Sequence, residues 1–211
     1  MLFPAWSVRG LRMKFFVENS RKVIISGALV GVICVGGIIS LVAICRARQA
    51  AAALFANAST VEQLQAVIFR HPRSDAAASA LLLLAAEQRH LGRLEESSVT
   101  YQRFLAVFPK HPLAPIAALG KAENTLVSGY LPAGIAELQA LTAKYPTSFV
   151  VPFSLYAQAE LLTTQPGRMP EARERLQDLV LKFPDSIFSR YSAKLLFLLN
   201  ARQAKDETLG M

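Results

Sequence analysis

The stretch HLGRLEESSVTYQRFLAVFPKH, residues 90–111, contains a glycine, a segment of regularly spaced apolar residues and a proline. The apolar residues recur every three or four positions, which is the period of a helix with one buried face: Val99, Tyr101, Phe104, Leu105 and Phe108. Pro109 ends this helix, because the residue before a proline avoids helical torsions and proline donates no hydrogen bond. Gly92 marks the end of a preceding helix.

The same ending recurs along the chain. An aromatic or basic residue followed by proline stands at "FRHPRS", "AVFPKH", "AKYPTS" and "LKFPDS", and the steps between the prolines are 37, 37 and 38 residues. The glycines follow the same period, at Gly92, Gly129 and Gly167. A period between 20 and 50 residues is typical of repeat architectures. The chain therefore contains an internal repeat of about 37 residues.

Each repeat is predicted to contain two helices separated by the glycine. Small residues occupy matching positions, in the first helix at Ala85, Ala122 and Ala159 and in the second at Ser97, Gly134 and Ala172. Small side chains in register let helices pack closely, and neighbouring repeats then bury each other's apolar faces. The third repeat is longer by one residue, which the spacing places between Ala159 and Gly167. An insertion at that point is expected in a loop.

A half repeat precedes the first unit, where Ser59 and Glu62 have the spacing of a capping box. After Pro184 comes a last helix without a full partner. The other predicted caps lie near Ser74/Asp75, Thr147/Ser148 and Asp185/Ser186. The predicted fold is all-α, an α-helical-hairpin solenoid of about three full repeats with terminal half repeats.

These positions resemble those of tetratricopeptide repeat (TPR) proteins. The first repeat has the small residue, turn glycine, second small residue, aromatic residue and closing proline of that family, at Ala85, Gly92, Ser97, Tyr101 and Pro109. Leu138 and Leu176 replace the aromatic residue in the other two repeats. The resemblance implies that partners bind in a concave groove lined by the first helices. It implies these groove residues: Leu82, Ala86, Arg89, Leu119, Glu123, Phe153, Tyr156 and Glu160. Leu82 and Phe153 are also core candidates.

The run Val23–Cys45 has 23 residues without a charge. It is long enough to cross a membrane, too long for a cleaved signal peptide, and has Ile44 where a lipoprotein signal needs a small residue. It is therefore predicted to be an N-terminal transmembrane helix. Five basic residues and one acid precede it, which predicts a cytoplasmic N-terminus and a periplasmic domain, as in a single-pass protein of the bacterial inner membrane.

The predicted domains follow from this topology. They are a basic cytoplasmic tail at 1–22, a membrane anchor at 23–45, a juxtamembrane helix or linker at 46–58, the TPR-like domain at 59–203 and a flexible tail at 204–211. The layout resembles the YfgM-like ancillary subunits of the bacterial Sec translocon, which implies envelope proteins, translocon subunits or periplasmic chaperones as partners. Such a protein would be an anchored scaffold. The alternative is a structural subunit of an envelope assembly for outer-membrane biogenesis, secretion or pilus formation.

The last helix is a second candidate surface. Leu195, Phe197 and Leu198 lie in an apolar run, and Phe197 stands where earlier repeats have alanine. This segment is expected either to cap the solenoid or to bind a partner or a second copy of the chain.

No pattern in the sequence indicates catalysis. The three histidines lack metal-ligand spacing, both cysteines lie in the apolar run, and no phosphate-binding loop or nucleophile motif is present. The net charge of +8 is divided between the N-terminal tail and the rest of the chain, without the concentrated basic stripe of a nucleic-acid-binding protein. The sequence predicts no catalytic residues, no cofactor, no metal and no nucleic-acid partner.

Overall fold

The computed structural model describes residues 40–209, with side chains through residue 202. Its residues divide into two units, of which the first includes residues 40–53 and the second begins at Leu54. Residues 40–56 are helical. The second unit then forms eight helices in the described part of the chain: α1 (Val61–Arg70), α2 (Asp75–His90), α3 (Leu94–Val107), α4 (Ala114–Val127), α5 (Leu131–Lys144), α6 (Val151–Thr163), α7 (Met169–Lys182) and α8 (Ile187–Leu209).

The predicted transmembrane helix is contradicted. Among residues 40–209, every helix is too short or too polar to cross a membrane. The helical stretch that contains the end of the predicted span does not end at Cys45 but continues through Arg46 and Arg48, and residues 23–39 of the span lie outside the described residues. The prediction of a single-pass inner-membrane protein with a periplasmic domain is therefore also wrong. Its support was the hydropathy of the apolar run together with the basic residues that precede it.

The predicted solenoid is confirmed. Consecutive helices contact each other throughout, from α1 to α8. The hairpins α2–α3, α4–α5 and α6–α7 are the three full repeats, and α1 and α8 are the terminal half repeats. In each hairpin the first helix is α2, α4 or α6, and the second helix is α3, α5 or α7.

The four residues that precede the repeat prolines have nearly the same backbone conformation. His71, Phe108, Tyr145 and Phe183 have φ between −124° and −134° and ψ between 50° and 57°. Each donates its backbone N–H to the carbonyl four residues earlier and so closes the helix. The proline that follows excludes helical torsions at these positions. The chain then turns into the next first helix.

Glycine forms the turn inside every hairpin. Gly92, Gly129 and Gly167 have φ of 75°, 86° and 76°, the left-handed region that other residues enter at a cost. In the first two turns the next residue donates its N–H to the carbonyl five positions back, Arg93 to Gln88 and Tyr130 to Thr125. No such bond is found at Gly167. Helix α6 ends at Thr163, and the extra residue lies in the loop, as predicted.

The small residues lie at the helix contacts. Ala85, Ala122 and Ala159 on the first helices are fully buried, and so are Ser97 and Ala172 on second helices. The Ser97 hydroxyl donates to the Ala85 carbonyl at 2.7 Å, which joins α3 to α2. At the matching position of the second repeat, the Leu126 side chain packs over Gly134, where a Cβ atom would come within 2.4 Å of it. Close packing thus requires the small residues that the repeat supplies.

Two predicted caps are shifted. The capping box of α1 uses Thr60 and Gln63, one residue after the predicted pair, and the Gln63 side chain also accepts from the Ser59 backbone N–H at 2.7 Å. Helix α6 begins after Val150, which makes no side-chain cap. Pro152 in its first turn suits a helix start, because proline has no N–H to leave unpaired there. Ser74 caps α2 as predicted, through a bond from the Ala77 N–H.

Candidate functional site

The first helices share one face of the solenoid. Besides the contacts between consecutive helices, the principal contacts join α2 with α4 and α6 with α8. Helix α8 begins a fourth repeat and so continues the row of first helices. No pair of second helices has comparable contacts in the described residues. The eight predicted groove residues lie on α2, α4 and α6, and none of their side chains is fully buried.

An ion pair connects the first two repeats along this face. A guanidinium nitrogen of Arg89 on α2 donates to a carboxylate oxygen of Glu123 on α4. Both side chains are about one-third exposed, at 32% and 29%, so solvent reaches the pair. Burial of Tyr101 raises the pKa of its phenol; Arg89 lowers that pKa and Glu123 raises it. The sequence placed both residues in the predicted groove but did not predict that they form an ion pair.

An aromatic cluster forms the other end of the face. The rings of Phe153 and Tyr156 on α6 lie 5.5 and 5.9 Å from the ring of Phe188 on α8, and Tyr191 lies 6.2 Å from Tyr156. Tyr191 is 49% exposed. Burial raises the pKa of Tyr156, with further contributions from Glu160 and Tyr191. The four rings form a surface that is apolar but open to solvent; it is called the aromatic cluster below.

Two members of the aromatic cluster were missed in the sequence. Phe188 and Tyr191 lie on α8, which was considered only for its apolar segment further along. Tyr191 is the repeat equivalent of Phe153, because both stand seven residues after a repeat proline. Extending the groove positions into the last half repeat would have found it.

The remaining predicted groove residues divide between core and surface. Leu82 packs partly against the core of the first repeat, and Leu119 packs with Tyr156 and Phe188 against the core of the third. Ala86 and Glu160 are exposed. Leu119 therefore packs against the same core as two rings of the aromatic cluster, whereas Leu82 packs against the core of the first repeat.

The three predicted residues on α8 do not form one surface. Leu195 is partly buried and packs against the cluster of Ala159 and Leu176. Phe197 and Leu198 are 72% and 52% exposed. Ala159, the repeat equivalent of Phe197, is fully buried, in a cluster with Leu176 of α7 and Leu199 of α8. Position 197 differs because no second helix pairs with α8 in the described part of the chain.

His111 lies in the turn that follows α3. His111 accepts a hydrogen bond from the Leu113 N–H at Nδ1, and its Nε2 lies 3.8 Å from a carboxylate oxygen of Asp75. Its ring also packs edge-on against Phe104, with centroids 5.7 Å apart. In the described residues, no group of three or more His, Cys, Asp or Glu side chains could hold a metal ion.

Comparison with known proteins supports the repeat. A family described as tetratricopeptide repeat matches residues 153–186, which include most of α6 and all of α7. Seventeen chains of solved structures match. Among them, a tetratricopeptide repeat protein from Parabacteroides merdae is 18% identical, with a TM-score of 0.54 over 70% of this chain. No curated protein sequence matches.

These matches define a TPR-like helical solenoid. The chain covers 55% of the length of the Parabacteroides protein, whose likeness shows the fold alone. Neither match indicates a catalytic family, and TPR folds are typically protein-binding scaffolds. The narrower resemblance to YfgM-like translocon subunits is not confirmed.

Proposed function

We propose that the protein is a scaffold that binds a segment of a partner protein along the face of the solenoid that the first helices share. The aromatic cluster is the observation that carries this proposal. Its rings come from two repeats, and Tyr191 and part of Tyr156 remain accessible at the surface. Aromatic side chains contribute large contact areas at little entropic cost, and tyrosine adds a polar group for orientation.

The ion pair at the other end of the face supports the same function. Arg89 and Glu123 lie on first helices in neighbouring repeats, where a bound segment would contact both charges. A partner with apolar side chains toward α8 and polar groups toward α2 fits this arrangement. The narrower role beside a translocon or envelope chaperone depended on a membrane anchor and is not part of this proposal.

A second candidate function is that of a structural subunit in a larger assembly. Its support is the exposure of Phe197 and Leu198, two neighbouring apolar side chains on the last helix. Exposed apolar patches are common at interaction sites. In this case the partner would extend the stack at its C-terminal end, or a second copy of the chain would pack there.

Site-specific photo-crosslinking distinguishes the two candidates. A photoreactive phenylalanine is introduced at Tyr156 in the groove, at Phe197 on α8, or at Val99, which is 67% exposed on a second helix and serves as the control. Protein adducts at position 156 without adducts at 99 support binding in the groove. Adducts at 197 alone favour the subunit role. If the variant with the photoreactive residue at position 156 forms no adduct in its native cells, the groove proposal is wrong.

A further inference from the structure

The loop of the third hairpin lines a pocket. Helix α6 ends at Thr163, and the longer loop through Gly167 lies beside α7 and α8. The pocket has a volume of about 720 Å³ and is lined by this loop, by Met169, Pro170 and Arg173 of α7, and by Leu199 and Arg202 of α8. None of the predicted groove residues lines it.

Two hydrogen-bond donors at the pocket are buried without an acceptor. They are the amide nitrogen Nε2 of Gln165 and the guanidinium nitrogen Nε of Arg173. A buried donor without a partner is unfavourable, and native proteins contain few of them. Both residues line the same pocket.

The orientations of both side chains are held by neighbours. The amide oxygen of Gln165 accepts from Arg168 at 3.0 Å, which leaves its NH₂ group as the free end. Arg168 is itself held by Glu171, through bonds of 3.0 and 2.6 Å. Arg173 donates through Nη2 to the Leu199 carbonyl at 3.1 Å, which anchors it to α8. The two donors are therefore positioned before any ligand binds.

The charge of the pocket is positive. Arg173 and Arg202 line it, and no acidic side chain does so. The hydroxyls of Thr163 and Thr164 donate to the carbonyls of Glu160 and Leu161, so they act as caps at the end of α6. A ligand that satisfies this site must accept hydrogen bonds and carry negative charge.

We propose that this pocket is an oxyanion site, filled by a carboxylate of an acidic peptide segment or by phosphate. An oxyanion accepts from Gln165 and Arg173 together, and Arg202 adds attraction at the edge of the pocket. The site is separate from the groove in the proposed scaffold function. It gives the protein a second point of recognition, for acidic groups.

Calorimetric titration of the full chain tests the site. The probes are inorganic phosphate and hexaglutamate, with hexaglutamine as the uncharged peptide control. We expect saturable binding that weakens as salt is raised, because the charges are partly exposed. Gln165→Glu retains an acceptor for Arg168 but replaces the free donor with a negative charge. It should weaken binding about tenfold or more, as expected when a charge-assisted bond is replaced by repulsion.

Two further variants complete the test. Arg202→Gln alters an exposed side chain, so the fold should persist, and binding should weaken several-fold. Gln139→Glu makes the same chemical change as Gln165→Glu on α5, outside the pocket, and should leave binding unchanged. Tighter binding of hexaglutamate identifies a peptide carboxylate as the ligand, and tighter binding of phosphate identifies a free phosphate. If neither probe binds, or if Gln165→Glu and Arg202→Gln bind as the natural chain does, the proposal is wrong.

Discussion

The ring of Tyr101 on α3 lies directly against the backbone of Gly120 on α4. A Cβ atom at position 120 would come within 2.4 Å of the ring carbon Cζ, which is closer than non-bonded carbon atoms approach each other. Tyr101 is 6% exposed, and Gly120 is buried within α4. This contact joins the first full repeat to the second and depends on the absence of a side chain at position 120.

Replacing this glycine should therefore destabilise the fold. In an exposed helix, Gly→Ala is stabilising by about 0.5–1 kcal/mol, but overpacking costs about 1–3 kcal/mol. We expect Gly120→Ala to lower the free energy of unfolding, measured by urea denaturation. In a Tyr101→Leu background the same change should be tolerated better, because the ring is gone. Equal losses in both backgrounds would contradict the close contact.

The stability of the protein should fall at alkaline pH in a way that depends on Tyr101. Burial raises the pKa of its phenol above the ordinary value of 10.0. The folded state therefore holds this proton more tightly than the unfolded state does. The stabilisation that results from this pKa difference is complete below pH 10 and is lost as the pH rises through the folded-state pKa. Urea midpoints at pH 8 and pH 11 should differ less for Tyr101→Phe than for the natural chain. A difference of the same size in both proteins would exclude Tyr101 as a cause.

A buried polar network should contribute to the contact between the first two repeats. Asn124 on α4 is 1% exposed and donates to the Ser97 hydroxyl at 2.8 Å, which in turn donates to the Ala85 carbonyl. Asn124→Ala removes a donor from this hydrogen-bond network, and we expect a loss of about 1–2 kcal/mol in unfolding free energy. Asn200→Ala, at an exposed position on α8, is the control and should change little. Similar values for the two variants would show that the network contributes nothing.

Shortening a side chain should affect the stability of the protein differently on the two faces of the last helix. Leu199 is 9% exposed and packs with Ala159 and Leu176, whereas Phe197 is 72% exposed. Leu199→Ala should cost about 2 kcal/mol or more, because it leaves a cavity. Phe197→Ala should change stability by less than about 0.5 kcal/mol. Thermal unfolding of both variants measures this, and a large loss for Phe197→Ala would mean that the ring is covered in solution.

Much of the solenoid could be predicted because its signals are local. A proline constrains the residue before it, and a glycine allows the left-handed turn, whatever the rest of the chain does. The positions of Pro109 and Gly92, repeated along the chain, therefore predicted the ends of the helices. The insertion in the third repeat was placed in the correct loop for the same reason. The caps were less certain, because several neighbouring polar residues can cap one helix, as Ser59 and Thr60 illustrate.

The membrane helix shows the limit of reading hydropathy alone. An apolar run predicts a span by its composition and length. Helix ends, however, depend on backbone hydrogen bonds, and the described helix runs through Arg46 and Arg48 without a break. The number of apolar residues did not determine where that helix ends.

The sequence by itself determined the repeat, the helix pairs and the small residues at their contacts, because each of these depends on neighbours along the chain. Only the tertiary structure decided which surface groups meet. Arg89 pairs with Glu123 across 34 positions, and Phe153 meets Phe188 between two repeats. The pocket at Gln165 likewise requires α8 to lie beside the third loop. Such contacts depend on the curvature with which repeats stack, and curvature results from the packing of all the helices together.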